Sequence, residues 1–216
     1  MKKFAIVISG CGVQDGAEIH ESVMAMLAVD MAGCFYQLFA PDMLQLRVVN
    51  HLTGREVDEK RNVLVESARI ARGNIKPLSE YRAADYDALL FPGGFGAALN
   101  LSTYGRDGAS MKVNSEVERA VKDAYSQKKV IGAMCIAPVV VAKILGKGML
   151  TIGSDRGTAA DIENFGAKHQ SSGKGEVAID LENKIFTTPC YMLSSSIKDI
   201  FVGATNLVNE MVRAME

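Results

Sequence analysis

The most informative segment of the chain is VIGAMCIAP, residues Val130–Pro138, because it changes from strand to helix character around one cysteine. Its first half is an apolar run typical of a buried strand, and its second half leads into a helical stretch that ends near Leu145. Cys135 is therefore predicted at the carboxyl edge of a parallel sheet, beside a helix amino end whose N–H groups favour a thiolate. Free cysteines are more commonly small core residues. The strand-turn-helix context favours a nucleophile.

Strand and helix patterns alternate along the first half of the chain. The continuous apolar run Phe4–Ile8 predicts a strand that is covered on both faces. After it, the patterns predict a helix over 17–31, a strand over 35–40, a hairpin over 48–57 turned at Thr53-Gly54, a helix over 58–73 and a strand over 87–91.

The alternation continues in the second half. The patterns predict a helix over 115–128, the strand before Cys135 with its helix, a strand over 149–153, a helix capped by Ser154 that ends near 165, a hairpin pairing 176–180 with 184–187, and a last helix over 193–215. Such alternation predicts an α/β fold with a doubly wound, mostly parallel sheet, helices on both faces and added β-hairpins. Residues 1–216 are expected to form one domain.

Composition narrows the range of partners. The chain has 24 Lys and Arg against 25 Asp and Glu, which gives a formal net charge of −1. A binder of nucleic acid or of an anionic membrane surface would need a clustered basic face, so neither partner is expected. No segment approaches the roughly 18 unbroken apolar residues of a membrane-spanning helix. A small molecule is the expected ligand.

The four cysteines indicate reduced thiols. Cys11, Cys34, Cys135 and Cys190 are far apart and form no C-x-x-C pair, so neither a metal site nor a disulfide scaffold is expected. This usage predicts a cytoplasmic compartment. Cys11, in the loop after the first strand, could face the same cleft as Cys135 and form a redox pair with it, although a packed, inert thiol is the commoner role. Cys34 and Cys190 are expected to be structural.

Two glycine-rich loops end predicted strands, as Cys135 does. They are Ser9–Gly12 and Pro92–Gly96, and ligands of parallel sheets bind outside such carboxyl ends. Gly93 and Gly94 leave backbone N–H groups uncovered, and with the N–H of Ile136 they predict a site for a developing oxyanion near the sulfur. A single glycine usually only turns the chain, so the prediction rests on the combination.

Glu21 is the predicted partner of the thiol. Ala17, Ala25 and Ala28 share its helix face, which is narrow enough to pack closely on the sheet. A carboxylate on that face would be partly desolvated, which raises its pKa and suits it to proton transfer. An exposed helix charge is the alternative for Glu21, since buried carboxylates are rare. Glu18 is expected to be a solvated first-turn residue.

Three of these segments together resemble a known superfamily. They are Gly16–Val23 (GAEIHESV), Phe91–Gly96 (FPGGFG) and Ala133–Pro138 (AMCIAP), and they are similar to the PfpI/ThiJ class I glutamine amidotransferase-like proteins. The chain resembles one branch more closely still, the ElbB-like proteins, which are known as isoprenoid-biosynthesis glyoxalases or enhancing-lycopene-biosynthesis proteins. Further matches to that branch run along the chain: Ser9–Val13, Asn50–Gly54, Thr187–Pro189 and Tyr191–Leu193.

The resemblance implies a flavodoxin-like fold, a homodimer, an elbow nucleophile at Cys135 and a partnering glutamate at Glu21. It also implies a lyase of the glyoxalase type, which converts glyoxal-type dicarbonyls to hydroxy acids without glutathione, metal or other cofactor. The residues suit that chemistry, because a thiolate can add to an aldehyde carbon, amide N–H groups can stabilise the alkoxide, and Glu21 can move a proton between the two carbons.

The chain departs from other branches of the superfamily. Protease-like members carry a histidine directly after the nucleophile, where this chain has Ile136, and no downstream His-x-Glu of the glutaminases is found. Peptidase and amidotransferase activities are therefore not expected. Residues Thr151–Ser154 also lack the histidine that several glyoxalase relatives place there. His20 could point into the site, but neighbours on a helix diverge by about 100°, so weak turnover is expected.

Two other classes of function remain open from the sequence. Gly10 and Gly12 after the first strand suggest dinucleotide binding, but the third glycine falls at Gly16 and Asp15 would repel a pyrophosphate. A non-catalytic redox sensor or chaperone-like dimer would use the same residues differently, with Cys135 oxidised to a sulfinate that Glu21 steadies.

Overall fold

The computed structural model describes residues 1–216 and contains eleven strands. In chain order they are β1 (Lys3–Val7), β2 (Phe35–Ala40), β3 (Val49–Asn50), β4 (Arg55–Glu56), β5 (Ile75–Pro77), β6 (Ala88–Phe91), β7 (Val130–Met134), β8 (Met149–Leu150), β9 (Lys168–His169), β10 (Ala178–Asp180) and β11 (Ile185–Thr188).

Seven of these strands form one sheet in the order β10-β11-β7-β6-β1-β2-β5. All neighbours are parallel except β10 and β11, which form an antiparallel pair. A hairpin of β3 and β4 and a parallel pair of β8 and β9 lie outside this sheet. The doubly wound fold with added hairpins is thereby confirmed. The carboxyl ends of β1, β6, β7 and β11 lie side by side at one edge of the sheet.

The chain also forms eight helices: α1 (Ile19–Met31), α2 (Val63–Ile70), α3 (Phe95–Leu99), α4 (Tyr104–Asp107), α5 (Ser115–Ser126), α6 (Pro138–Leu145), α7 (Arg156–Asn164) and α8 (Ile197–Arg213). Alternation along the strands divides the core into two layers. Phe4 and Ile6 of β1 belong to the layer beneath α1 and α8, and Val7 belongs to the layer beneath α5 and α6.

Several elements differ from the sequence prediction. β5 was not expected, since it is short, ends in Pro77 and lies at the sheet edge, where a missing N–H costs no ladder bond. α3 begins directly after Gly94, where only a loop was predicted. The strand expected over 149–153 is reduced to β8, which pairs with β9.

Helix starts are set by capping side chains that the apolar pattern did not reveal. α1 begins at Ile19 because Glu18 is its N-cap, and α2 begins at Val63 because Asn62 caps it. Asp155, not Ser154, caps α7. α8 begins only at Ile197, after a capping box formed by Ser196 and Asp199.

Candidate active site

Cys135 occupies a strained turn between β7 and α6. Its φ is 58°, an uncommon backbone conformation for a residue with a side chain. The Cys135 N–H donates to the Thr188 carbonyl oxygen at 3.0 Å, which ties the turn to β11, and Pro138 occupies the first turn of α6. The residue is 7% exposed, and it lines a cavity at the carboxyl edge of the sheet. The elbow therefore presents the thiol to a partly enclosed space.

Glu21 is fully buried on the face of α1 that meets the sheet. The Gly93 N–H donates to its Oε2 at 2.9 Å, and the Tyr191 N–H donates to its Oε1 at 3.2 Å. Burial, followed by the nearby charge of Glu18, raises the pKa of the Glu21 carboxyl to about 7, although the two N–H donors oppose the shift. The group is therefore near the midpoint of its titration at neutral pH.

Gly93 is the point at which the thiol and the carboxylate meet. A Cβ at this position would lie 2.7 Å from Glu21 Oε2 and 3.0 Å from Cys135 Sγ, and it would also overlap Cys135 Cβ. Only glycine leaves room for both groups. Because the Gly93 N–H is bound to Glu21, it is not free to hold a substrate oxyanion, in contrast to the sequence prediction.

Two other backbone N–H groups face the sulfur. Those of Gly94 and Ile136 lie near the Cys135 sulfur and act to lower the pKa of its thiol. Gly94 has a φ of 94°, and a Cβ there would collide with the backbone at Glu18 and Gly16. The start of α1 thus packs directly on this glycine. The arrangement places two donors where an oxyanion formed at the sulfur would develop.

The thiol is the resting form of Cys135. Burial, and next the charge of Glu21, raises the pKa of the Cys135 thiol well above its usual value, although the Gly94 and Ile136 N–H groups act in the opposite direction. The thiolate expected from the helix end is therefore wrong for the free protein. Desolvation outweighs the N–H groups at the helix end, and the sulfur must lose its proton to a neighbour before it reacts.

The position of Glu18 also differs from the sequence prediction, which made it a solvated charge. It is only 7% exposed and lines the cavity. Its Oε2 accepts the Glu21 N–H at 2.6 Å, as the N-cap of α1. The capping role draws the carboxylate inward and brings a second negative charge beside Glu21.

The cavity in front of Cys135 has a volume of about 380 Å³ and is largely apolar. Glu18 is the one acidic residue that lines it, and no lysine or arginine does. The lining consists of Val13, Glu18, Gly94, Phe95, Ala98, Tyr104, Gly105, Cys135, Ile136, Tyr191 and Met192. Such a space suits a small uncharged molecule.

His20 lies outside the cavity wall, and its side chain is 50% exposed. Its Nδ1 is 2.8 Å from the hydroxyl of Tyr191, which does line the cavity, and 3.8 Å from Glu18 Oε1. The predicted accessory residue therefore does not point at the sulfur, in keeping with the divergence of neighbouring helix positions.

Cys11 is not brought together with Cys135. It is half-buried and does not line the cavity, and its pKa is raised by burial and next by the charge of Glu66 on α2. The neighbouring thiol is instead Cys190, which is buried and whose pKa is raised by burial and next by the charge of Glu21. The redox pair proposed for Cys11 therefore has no structural basis.

Sequence reasoning missed Tyr191 as a site residue. One signal could have found it, since β11 runs parallel to β7 and the residues after Thr188 must emerge at the same sheet edge as Cys135. Tyr191 and Met192 follow that strand and line the cavity.

No group of three or more His, Cys, Asp or Glu side chains is arranged to hold a metal ion. None of the helices combines the length and apolar character needed to cross a membrane.

The chain is an α/β protein with the fold of the solved DJ-1/ThiJ/PfpI structures and a cysteine at a strand-to-helix elbow. A solved structure of DJ-1beta from Drosophila melanogaster has this fold, with a TM-score of 0.57 and 20% identity over 98% of this chain and 91% of that one. An isoprenoid biosynthesis protein with an amidotransferase-like domain from Ehrlichia chaffeensis is much more similar, with a TM-score of 0.94 and 35% identity over the whole of both chains.

Curated relatives show the family. The chain is 44% identical to the human glutamine amidotransferase-like class 1 domain-containing protein 3, mitochondrial, over 97% of this chain and 82% of the relative. It is 43% identical to the ES1 protein homolog, mitochondrial, of Rattus norvegicus, over 97% of this chain and 83% of the relative. No protein-family model matches the chain. The chain belongs to the ES1 family of glutamine amidotransferase-like class 1 domain-containing proteins.

These relatives correct one prediction. The cysteine usage suggested a cytoplasmic protein, but the curated relatives from rat, human and Danio rerio are all named mitochondrial. Unpaired cysteines indicate only a reducing environment, which more than one compartment provides.

Proposed function

We propose that this protein is a cofactor-independent glyoxalase of the ElbB type, which converts glyoxal-type dicarbonyls to hydroxy acids. The observation that carries the proposal is the meeting of the Cys135 thiol and the buried Glu21 carboxylate at Gly93, beside one apolar cavity. A carboxyl with a pKa of about 7 can accept and return a proton at neutral pH, which is what a proton shuttle requires.

The first step activates the sulfur. Glu21 takes the proton of the Cys135 thiol as the sulfur adds to one aldehyde carbon of glyoxal, and the electron pair of that carbonyl moves to its oxygen. The Gly94 and Ile136 N–H groups stabilise the alkoxide, which then takes the proton from Glu21. The product of this step is a hemithioacetal, and Glu21 is again a carboxylate.

The second step moves hydrogen between the carbons. Glu21 removes the proton from the carbon bound to sulfur and returns it to the neighbouring carbon, while the hydroxyl proton of the hemithioacetal passes to the second oxygen. The result is a thioester of glycolate. Water then cleaves the carbon–sulfur bond and releases glycolate. One carbonyl carbon is oxidised as its neighbour is reduced, so no electron carrier takes part.

The cavity supports a small neutral substrate. No basic residue lines it, and the one acidic residue, Glu18, would repel a carboxylate or a phosphate. Uncharged dicarbonyls are therefore the proposed substrates.

A direct assay tests the proposal. Glyoxal is incubated with the protein and glycolate is followed by NMR, with Cys135→Ser and Glu21→Gln in parallel. We expect glycolate from the wild type and none above background from either variant. Oxidation of Cys135 by mild peroxide in a protein that makes no glycolate would instead support the alternative function, a redox sensor or chaperone-like protein. The raised pKa of the thiol argues against that alternative, because oxidation follows thiolate character.

We also propose that the protein is a homodimer that associates through α1. Ile19, Val23, Leu27 and Met31 recur every four residues and are each between 40% and 60% exposed. A continuous apolar stripe of this kind can pack against the same stripe of a second copy related by two-fold symmetry. Light scattering should give a dimer mass for the wild type and a monomer mass for Val23→Glu/Leu27→Glu, whereas Val65→Glu on the exposed face of α2 should remain dimeric.

A further inference from the structure

The proposed reaction must release a proton from a partly enclosed, largely apolar site. Glyoxal and water become glycolate and one proton, so each turnover leaves one proton to be carried to solvent. Glu21 is 0% exposed, and both of its oxygens accept backbone N–H groups. It can shuttle a proton between two carbons, but it has no contact with bulk water. A second group is needed to carry the proton outward.

Tyr191 connects the cavity to the surface. The residue lines the cavity together with Cys135 and Ile136, and its backbone N–H holds Glu21 Oε1 at 3.2 Å. Its hydroxyl is 2.8 Å from Nδ1 of His20, whose side chain is half exposed. This hydrogen bond leads from a cavity-lining residue that also holds Glu21 to a titratable group in contact with solvent.

We propose, on the basis of the glyoxalase function above, that Tyr191 and His20 form the proton relay that drives hydrolysis of the Cys135 thioester. The oxygen of water bonds to the acyl carbon, the carbon–sulfur bond breaks, and its electron pair goes to the sulfur. The water proton passes to the Tyr191 oxygen as the Tyr191 hydroxyl proton passes to neutral His20. The two hydrogens of water end on the Cys135 thiol and, through His20, in solvent.

The charges around the relay favour this direction of transfer. Burial, followed by the charges of Glu18 and Glu21, raises the pKa of the Tyr191 hydroxyl, so the group stays protonated and acts as a bridge rather than as a phenolate. Glu18 Oε1 lies 3.8 Å from His20 Nδ1, beside the nitrogen that receives the proton. Cys190, the other titratable neighbour of Tyr191, has a strongly raised pKa and is uncharged.

One variant tests the role of the Tyr191 hydroxyl in the relay separately from the structural role of the residue. Tyr191→Phe removes the hydroxyl but keeps the backbone N–H that holds Glu21. We expect kcat to fall about 100-fold, the low end for loss of acid–base catalysis, while kcat/KM stays close to wild type because thioester formation is intact. Intact-mass spectrometry should then show a glyoxal adduct on Cys135 during turnover.

Two further variants complete the test. His20→Gln should lower kcat about tenfold, and imidazole added to the buffer should restore it, since the site of His20 is open to solvent. Tyr125→Phe removes a half-buried hydroxyl that binds Asn183 far from the cavity and should leave kcat unchanged. Melting temperatures identify any variant that is misfolded.

The outcomes distinguish the relay from the function on which it rests. If the wild type makes glycolate and Tyr191→Phe keeps its kcat, or loses kcat and kcat/KM together without an adduct, the relay is wrong and the glyoxalase proposal stands. If the wild type makes neither glycolate nor an adduct on Cys135, both proposals are wrong.

Discussion

Two cysteines follow strands of the same sheet, and each has a glutamate nearby, yet only one pair is suited to chemistry. Near Cys11, Glu66 is bound by Arg69 at 2.9 Å and lies 3.7 Å from Arg61. Near Cys135, Glu21 has no cationic partner, only two backbone N–H groups and the like charge of Glu18. Because Glu21 lacks an arginine partner, only hydrogen bonds oppose the effect of burial on its pKa. The charge environment, more than proximity, suits Glu21 to act as the base of the proposed reaction.

The largest effect should separate the two thiols. Cys135→Ser should lower kcat/KM for glyoxal by about 10⁴-fold or more, because the covalent route is lost. Cys11→Ser should remain within about twofold of wild type, since Cys11 does not line the cavity. Steady-state rates of glycolate formation measure both, and comparable losses in the two variants would contradict the comparison.

The two carboxylates should differ almost as strongly. Glu21→Gln should lower kcat by about 10²- to 10⁴-fold, the range for loss of a general acid–base. Glu66→Gln removes a charge held by Arg69 and should leave kcat unchanged, with a small loss of stability. If Glu66→Gln is the slower enzyme, the assignment of the base is wrong.

Crowding the meeting point of thiol and carboxylate should have an intermediate effect. Gly93→Ala places a Cβ against Cys135 and Glu21, and we expect kcat to fall about tenfold to a hundredfold through misplacement of both groups. The free energy of unfolding should fall by about 1–3 kcal/mol from overpacking. Gly157→Ala on α7 is the control, because a Cβ has room there. Since alanine favours a helix more than glycine does, the free energy of unfolding should rise by up to about 1 kcal/mol. Denaturant titration and kinetics measure these effects.

The smallest effect is on the pH dependence of stability. The pKa of Glu21 rises from 4.5 in its ordinary state to about 7 in the fold, so the folded protein binds more protons between these values. The stabilising contribution of Glu21 to the free energy of unfolding is fully present below pH 4.5 and is lost as the pH rises through about 7. It amounts to at most about 3 kcal/mol. Glu21→Gln should flatten this part of the melting-temperature profile, and Glu66→Gln should keep it.

Much of the fold was predictable because its signals are local. The apolar runs of β1, β6 and β7 alternate with helices, and that pattern is enough to predict a parallel sheet with Cys135 at its carboxyl edge. The buried face of α1 was also predictable, since Ala25 and Ala28 share it with Glu21. β5 was not, because three residues at a sheet edge carry no periodic pattern.

The rest of the candidate site depends on contacts between distant parts of the chain. Glu18 seemed a surface charge until its capping bond to the Glu21 N–H drew it into the cavity wall. Tyr191 is 170 residues from Glu21 along the chain and reaches it because β11 lies beside β7. No local pattern records such a contact.

The sequence alone determined the kind of fold and the elbow cysteine, because strand and helix periodicity are properties of neighbouring residues, and it left Glu21 open between a buried partner of the thiol and an exposed charge. Tertiary structure alone decided that Cys135 rests as a thiol, that Glu21 titrates near neutral pH and that Tyr191 joins the site. Proton affinity depends on burial and on the charges that surround a group, and these exist only once the chain has folded.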